Sequence, residues 1–204
     1  LLGAFIILPP ILKFVHRKST KNARKPLTLN RAILFRYSNM EAYPRCFARF
    51  KMMVDPMFKE LPQFFGEGLN LKTVMDIGTG FGVPACWIVE RFPKAKVFGI
   101  DPDGERIRVA SAVLGESGLM KQDAAPHIPS VPVPADAAVM LDMIPYLPDD
   151  ALALTLKRLH TNLSHGGRLL IRVAVPNGNS RSWLWKLETI KSRLSRISLY
   201  NRSI

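Results

Sequence analysis

After Gly66-Glu67-Gly68 the chain alternates between short apolar runs and longer amphipathic stretches, with glycine or proline at the changes. Thr73 to Ile77 is a short apolar run that ends in glycines, the mark of a buried strand. Val83 to Phe92 reads as a helix stopped before Pro93, and Lys96 to Ile100 as a second strand closing at Asp101. Glu105 to Leu114 reads as a helix, with Gly115 and Gly118 as stop signals. Ala135 to Leu141 is the next clear strand. Asp149 and Asp150 open a helix that runs to about Leu163, their charges suiting its positive end, and Gly166-Gly167 stops it. Arg168 to Val175 is a strand, and Trp183 to Ile197 a basic amphipathic helix. Strands alternating with helices predict an α/β fold: a doubly wound, mostly parallel sheet covered on both faces.

The first third of the chain has a different texture. Residues 17–30 are polar and basic and read as a linker. Residues 39–65 read as one or two helices, in which Phe47, Phe50, Met53, Met57, Phe58 and Leu61 recur at three- and four-residue spacing as a buried stripe. The expected organisation is an apolar-then-basic segment and linker over 1–30, a helical cap over 31–68, the α/β core over 69–180 and a basic helix over 181–204.

The candidate chemistry lies where the first strand meets its helix. Asp76-Ile77-Gly78-Thr79-Gly80-Phe81-Gly82 puts glycines where a backbone must turn tightly and approach a ligand. A dinucleotide loop would be spaced Gly-x-Gly-x-x-Gly; here the third glycine comes one residue earlier, and an acid stands two positions before the first. Asp101 closes the second strand 23 positions after Gly78, followed by Pro102. A carboxylate there can accept hydrogen bonds from both hydroxyls of a ribose, though an Asp before proline is also an ordinary turn residue. Gln122-Asp123-Ala124 follows the second helix, where a carboxylate could meet an exocyclic adenine amine, and Leu141-Asp142-Met143-Ile144-Pro145-Tyr146-Leu147 follows the strand at 135–141.

In this order and spacing the four segments resemble the class I S-adenosylmethionine-dependent methyltransferases, over about residues 70–176. The resemblance implies a Rossmann-like fold and S-adenosyl-L-methionine as cofactor. It implies that Gly78, Thr79, Gly80 and Phe81, with Gly82 closing the loop, contact its methionine and ribose parts and that Asp76 orients the methionine end. Asp101 and Pro102 would meet the ribose, Gln122, Asp123 and Ala124 the adenine edge, and Leu141 would lie beside the cofactor. Pro145 stands where many relatives have a histidine, which removes an acid–base role there. No Asn/Asp-Pro-Pro-Tyr signature is present, which argues against amino methylation of nucleobases. The family fold ends in an antiparallel strand pair that would need chain beyond Ile204.

Charge refines the reading. The chain has 204 residues and a net charge of +13. Residues 1–50 hold ten Lys/Arg against one acid, residues 181–204 six against one, and the middle is nearly neutral with thirteen against fourteen. A nucleic-acid reader would more usually carry its bases on the docking module, so nucleic acid is disfavoured as a partner. Basic flanks fit an anionic membrane surface or solvated segments. Leu1 to Val15 is almost wholly apolar and is followed at once by His16, Arg17, Lys18, Lys21, Arg24 and Lys25. It is shorter than the roughly 20 residues of a bilayer span, its charge order is the reverse of a secretory signal, and Pro9-Pro10 breaks a core helix. Its pattern fits the cytoplasmic end of a membrane helix and weakly resembles the last helix of large lipid-exporter membrane proteins. The expected location is cytoplasmic, at the inner face of a bacterial membrane. Cys46 and Cys86 read as two reduced thiols, and no spacing suggests a metal site.

Methyl transfer needs positioning and a dry site, and a proton acceptor only where the nucleophile is still protonated. Asp142, Tyr146, His127 and Tyr43 are the candidates for that role, and none has a diagnostic partner in sequence. A lone His127, His160 or His165 is more often a surface or packing residue. The apolar stripe at 47–61 points to a small-molecule or lipid-like acyl substrate, the latter in the setting of a lipid or polyene export system. The alternatives are an RNA methyltransferase, suggested by the basic flanks, and a non-catalytic, membrane-associated binding module of the same fold.

Overall fold

The computed structural model describes residues 28–66 and 68–173. The apolar run at 1–15, the end of the last expected strand and the basic helix expected at 183–197 lie outside them. The elements are α1 (Leu29–Arg36), α2 (Ala42–Val54), α3 (Met57–Phe65), β1 (Thr73–Ile77), α4 (Val83–Arg91), β2 (Lys96–Asp101), α5 (Gly104–Leu114), β3 (Gly118–Gln122), β4 (Ala135–Leu141), α6 (Asp149–Asn162) and β5 (Leu163–Arg172). Among the described residues no helix is long and apolar enough to cross a membrane.

The five strands form one sheet in the order β3-β2-β1-β4-β5, and every neighbouring pair is parallel. β1 is buried along its whole length, as the central strand of a doubly covered sheet must be. Alternation sends Val74, Val97, Ala137 and Val139 to one face, where they pack with side chains of α1, α3, α4 and α5. Met75, Ile77, Ile100, Ala138 and Met140 go to the other face, against Leu159 of α6. The Rossmann-like α/β expectation therefore holds. α4 is buried from Val83 through Val89, so its pattern lacks a polar side.

Three elements depart from the expectations. The linker assigned to 17–30 gives way to helix at Leu29, because Ile33 and then Tyr37 are completely buried against the core. β3 has no clear apolar signature in sequence, because it is an edge strand whose residues are mostly half or fully exposed. Gly166-Gly167 does not end a helix. α6 already stops at Asn162, and the pair lies inside β5 at a register irregularity against Ala135/Ala137, where Gly166 takes φ 76°.

The stripe on residues 47–61 is split. Met57 and Leu61 of α3 are buried, whereas on α2 Phe47 is half-buried and Phe50 and Met53 are 44% and 74% exposed. α2 buries only Pro44 and Ala48. It therefore lies on the body as a cap, not within it.

Because the sheet is parallel, Ile77, Asp101, Gln122, Leu141 and Arg172 all end at one edge. The chain leaves β1 toward β2 on one side and returns to β4 on the other. That switch point opens a crevice at the carboxyl edge, where open α/β sheets bind ligands.

Candidate active site

The crevice is a cleft floored by Asp76, Gly78, Thr79 and Gly80 and walled by Asp101, Pro102, Leu141 and Asp142. The loop after β1 folds back over β2: the amides of Gly78 and Thr79 both donate to the carbonyl of Ile100, at 2.9 and 3.0 Å. Gly78 has φ 78°, a left-handed conformation, and a Cβ there would overlap the thioether of Met143. Met143 belongs to the segment after β4, so Gly78 lets the two strand ends on either side of the switch point touch. Gly82 (φ 80°) caps α4, and a Cβ there would come 3.1 Å from that of Ala110. Its role in the structure is to let α4 and α5 pack closely; it does not line the cleft.

Two buried carboxyl groups set the electrostatics. Asp76, 1% exposed, accepts a hydrogen bond from the Thr79 hydroxyl at 2.8 Å. Burial lifts its pKa from 3.8 to about 7, opposed by the Thr79 bond and assisted by the negative charge of Asp101. Asp101 accepts one backbone N–H on each oxygen, from Gly80 at 2.9 Å and from Asp103 at 3.0 Å. Its pKa is raised by burial, against the pull of those bonds and of nearby Arg106. Each Asp101 oxygen retains a lone pair for a further donor, which is what a vicinal diol needs.

The remaining expected residues are placed less directly. Gln122 donates its amide to the carbonyl of Pro102 at 3.0 Å. Asp123 hydrogen-bonds His127 Nδ1 at 2.9 Å, the Lys121 ammonium at 3.1 Å and the Ala124 amide at 2.9 Å, and these hold its carboxyl well below the ordinary range. β3 brings this turn beside Asp101, whose carbonyl receives the Asp123 amide at 3.2 Å, but Gln122, Asp123 and Ala124 do not line the cleft. Of the candidate proton acceptors, Asp142 and Tyr146 line it. His127 is exposed and paired with Asp123, and Tyr43 is 61% exposed, edge-on to Phe81 at 5.7 Å.

Several cleft residues escape sequence reasoning. Phe47 and Lys51 reach it from α2, with the Phe47 ring 5.0 Å from that of Phe81. The two are four residues apart and so share a helix face, but Phe47 alone reads as core. Arg106, from the first turn of α5, lies over Phe81 at 5.9 Å and pairs with Asp103 at 3.4 Å; nothing in its spacing marks it. At the C-cap of α1, the buried Tyr37 hydroxyl donates to the carbonyl of Phe81 at 2.7 Å and so holds the glycine loop from behind. Among the described residues no cluster of side chains could hold a metal ion.

Residues 74–167 match the methyltransferase domain family. A trans-aconitate 2-methyltransferase of Azoarcus sp. (strain BH72) is 35% identical over 101 residues, covering 50% of this chain and 38% of the relative. A second, from Afipia carboxidovorans, is 28% identical over 105 residues, 52% of this chain and 40% of the relative. The chain thus matches only about two fifths of the length of these curated relatives. Among solved structures, the pyocyanin biosynthetic protein PhzM superposes with a TM-score of 0.55 at 21% identity, over 79% of this chain and 54% of that one. The plantazolicin methyltransferase BpumL, solved with S-adenosylhomocysteine and a pentazolic desmethylPZN analog, gives 0.51 at 15% identity over 82% and 76%. An O-methyltransferase from a Brevibacillus brevis multienzyme, solved with S-adenosyl-L-homocysteine, gives 0.52 at 16% over 74% and 50%. At such identities the structural likeness is one of fold. The sequence match over residues 74–167 and the glycine loop beside a buried acid agree with it: the α/β core of this chain matches the class I S-adenosylmethionine-dependent methyltransferases in sequence and fold.

Proposed function

We propose that the protein transfers a methyl group from S-adenosylmethionine to a small organic acceptor held between the cap helix α2 and the segment after β4. The carrying observation is Asp101, which lines the cleft and whose two oxygens each take one backbone amide, leaving each with acceptor capacity for a further donor. The cofactor would supply the electrophilic methyl carbon. The chain's own residues position and shield. Asp101 holds a diol, Asp76 in its carboxylate form holds a cationic amine, and the first turn of α4, with Val83 and Pro84 at the cleft, favours a carboxylate. Phe47, Phe81 and Leu141 exclude water from the line of transfer. Asp142 and Tyr146 stand where they can take a proton from a hydroxyl acceptor.

A carboxylic acid acceptor is the favoured class. It is supported by the substrate in the names of the two curated relatives and by Lys51 and Arg106 in the cleft. A lipid-like acyl acceptor is the second reading, favoured by the aromatic wall of Tyr43, Phe47 and Phe81. Calorimetry with S-adenosylmethionine and its demethylated product tests the core proposal, and absence of binding to either overturns it. Mass spectrometry after incubation with trans-aconitate, a medium-chain fatty acid or RNA then separates the acceptor classes. Methylation of the first supports the favoured reading; methylation of only the second or third replaces it.

A further inference from the structure

α2 presents Phe47 and Lys51 to the cleft but buries little of itself. Its N-terminal end rests on the Tyr43 and Phe47 contacts with Phe81 and on an exposed pair between Glu41 and Arg108 at 2.7 Å. Its C-terminal end is different. Phe50, Met53 and Val54 there are exposed, and of the last five residues of α2 Met52 is the apolar side chain that packs, partly buried, on the core. The helix ends in a run of alternating charge. Lys51 pairs with Asp55 at 3.0 Å, Asp55 with Arg172 at 2.6 Å, and Arg172 through Nε with Asp142 at 3.4 Å. Asp55 also accepts the Met57 amide at 3.0 Å, which fixes it at the corner between α2 and α3. Burial would raise the Asp55 carboxyl, but the charges of Lys51 and Arg172 hold it below its ordinary pKa, so Asp55 is a carboxylate at neutral pH.

The far end of the run is equally fixed. Asp142 is the one non-glycine with positive φ among the described residues, at 58°, and its amide donates to the carbonyl of Arg172 at 2.9 Å. Arg172 therefore ties Asp142 through both backbone and side chain while its guanidinium reaches the cap. A guanidinium can serve two carboxylates in fixed directions, which a lysine ammonium on a flexible stem does not.

We propose that Arg172 is a positioning residue that latches α2 over the cleft and sets the gap between Lys51 above and Asp142 below, in which a methyl acceptor must sit. This rests on the methyl-transfer reading of the site. Asp55 and Arg172 do not line the cleft beside Gly80, Asp101 and Asp76, and the latch is therefore assigned to the acceptor and not to the cofactor.

The test compares the wild-type protein with Arg172→Gln, Asp55→Asn, the double variant and Arg172→Lys, with Arg108→Gln as a control at the other end of α2. Hydrogen exchange reads residues 42–57 with S-adenosylhomocysteine bound. Loss of the latch should speed exchange there roughly tenfold, as expected for one charge-assisted hydrogen bond, and leave residues 73–101 unchanged. The double variant should be no faster than either single, Arg172→Lys should be intermediate, and Arg108→Gln should match wild type. With a short unsaturated polycarboxylic acid as the probe acceptor, its KM should rise more than kcat falls, while affinity for S-adenosylhomocysteine stays within about twofold. Unchanged exchange at 42–57 in Arg172→Gln, or effects that multiply in the double variant, overturns the latch. Failure of the wild-type protein to bind S-adenosylhomocysteine would instead overturn the methyl-transfer reading. Binding without methylation of the probe overturns only the carboxylic acid class, and the exchange result still decides the latch.

Discussion

The two sides of the cleft are built by different means. The floor is made by the ends of β1, β2 and β4, whose residues sit in the core and whose loop is fixed by backbone hydrogen bonds to Ile100 and Asp101. The roof is α2, which buries two residues and is held by a few rings and ion pairs. A floor of that kind cannot shift without disturbing the sheet, whereas the roof, anchored on the core through Ala48, Phe47 and Met52, can change at less cost to the fold. The part that would hold the cofactor is therefore rigid, and the part that would choose the acceptor is adjustable.

Substitutions can break this contrast at points of graded severity. Gly78→Ala should have the largest effect, since its Cβ would overlap Met143 and its φ is unfavourable for alanine. A loss of about 2–4 kcal/mol in stability is expected, with cofactor binding largely abolished, measured by thermal melting and calorimetry. Asp101→Ala should follow, weakening S-adenosylmethionine by about 2–3 kcal/mol and leaving two backbone amides unsatisfied; an unchanged affinity would remove the ribose role. Asp76 should reveal itself through pH. With a folded pKa near 7 against 3.8, the apo chain keeps a proton that the unfolded chain sheds. The stability this contributes is complete below about pH 4 and is lost as pH rises to 7. An amine bound beside Asp76 requires the carboxylate, so cofactor affinity should fall as pH drops below 7, by at most about tenfold per unit, and Asp76→Asn should flatten both profiles. Tyr37→Phe should have the smallest effect, about 1 kcal/mol on cofactor affinity, through the loosened carbonyl of Phe81. If it matched Asp101→Ala, the glycine loop would be less rigid than the floor it belongs to.

The same contrast governs what could be read from sequence. β1, β2 and β4 declare themselves because both faces are buried and their residues are almost uniformly apolar, and the turn at Asp76–Gly82 is legible because only glycine suits its left-handed positions. β3 hides because an edge strand carries no such constraint. Gly166-Gly167 misleads because a glycine pair suits a strand irregularity as well as a helix end. Lys51, Arg106 and Arg172 are surface residues by every local criterion. Their place at or beside the cleft follows from the crossing of elements far apart in the chain, which periodicity does not encode. The position of Asp123 shows the converse, an acid in the right place along the chain whose oxygens are occupied by Lys121, Ala124 and His127.

The strand order also dictates when the cleft can exist. β1 is central, yet its second neighbour, β4, is synthesised more than fifty residues later; the Thr73 amide meets the Asp136 carboxylate across 63 positions. A nascent chain can pair β1 with β2 early, but the switch point stays half-built until β4 emerges and Met143 covers Gly78. Contacts that close such long loops form late and slow folding. A ligand that binds only the finished crevice would draw the chain toward its folded form by mass action, acting on yield and lifetime in the cell as well as on turnover.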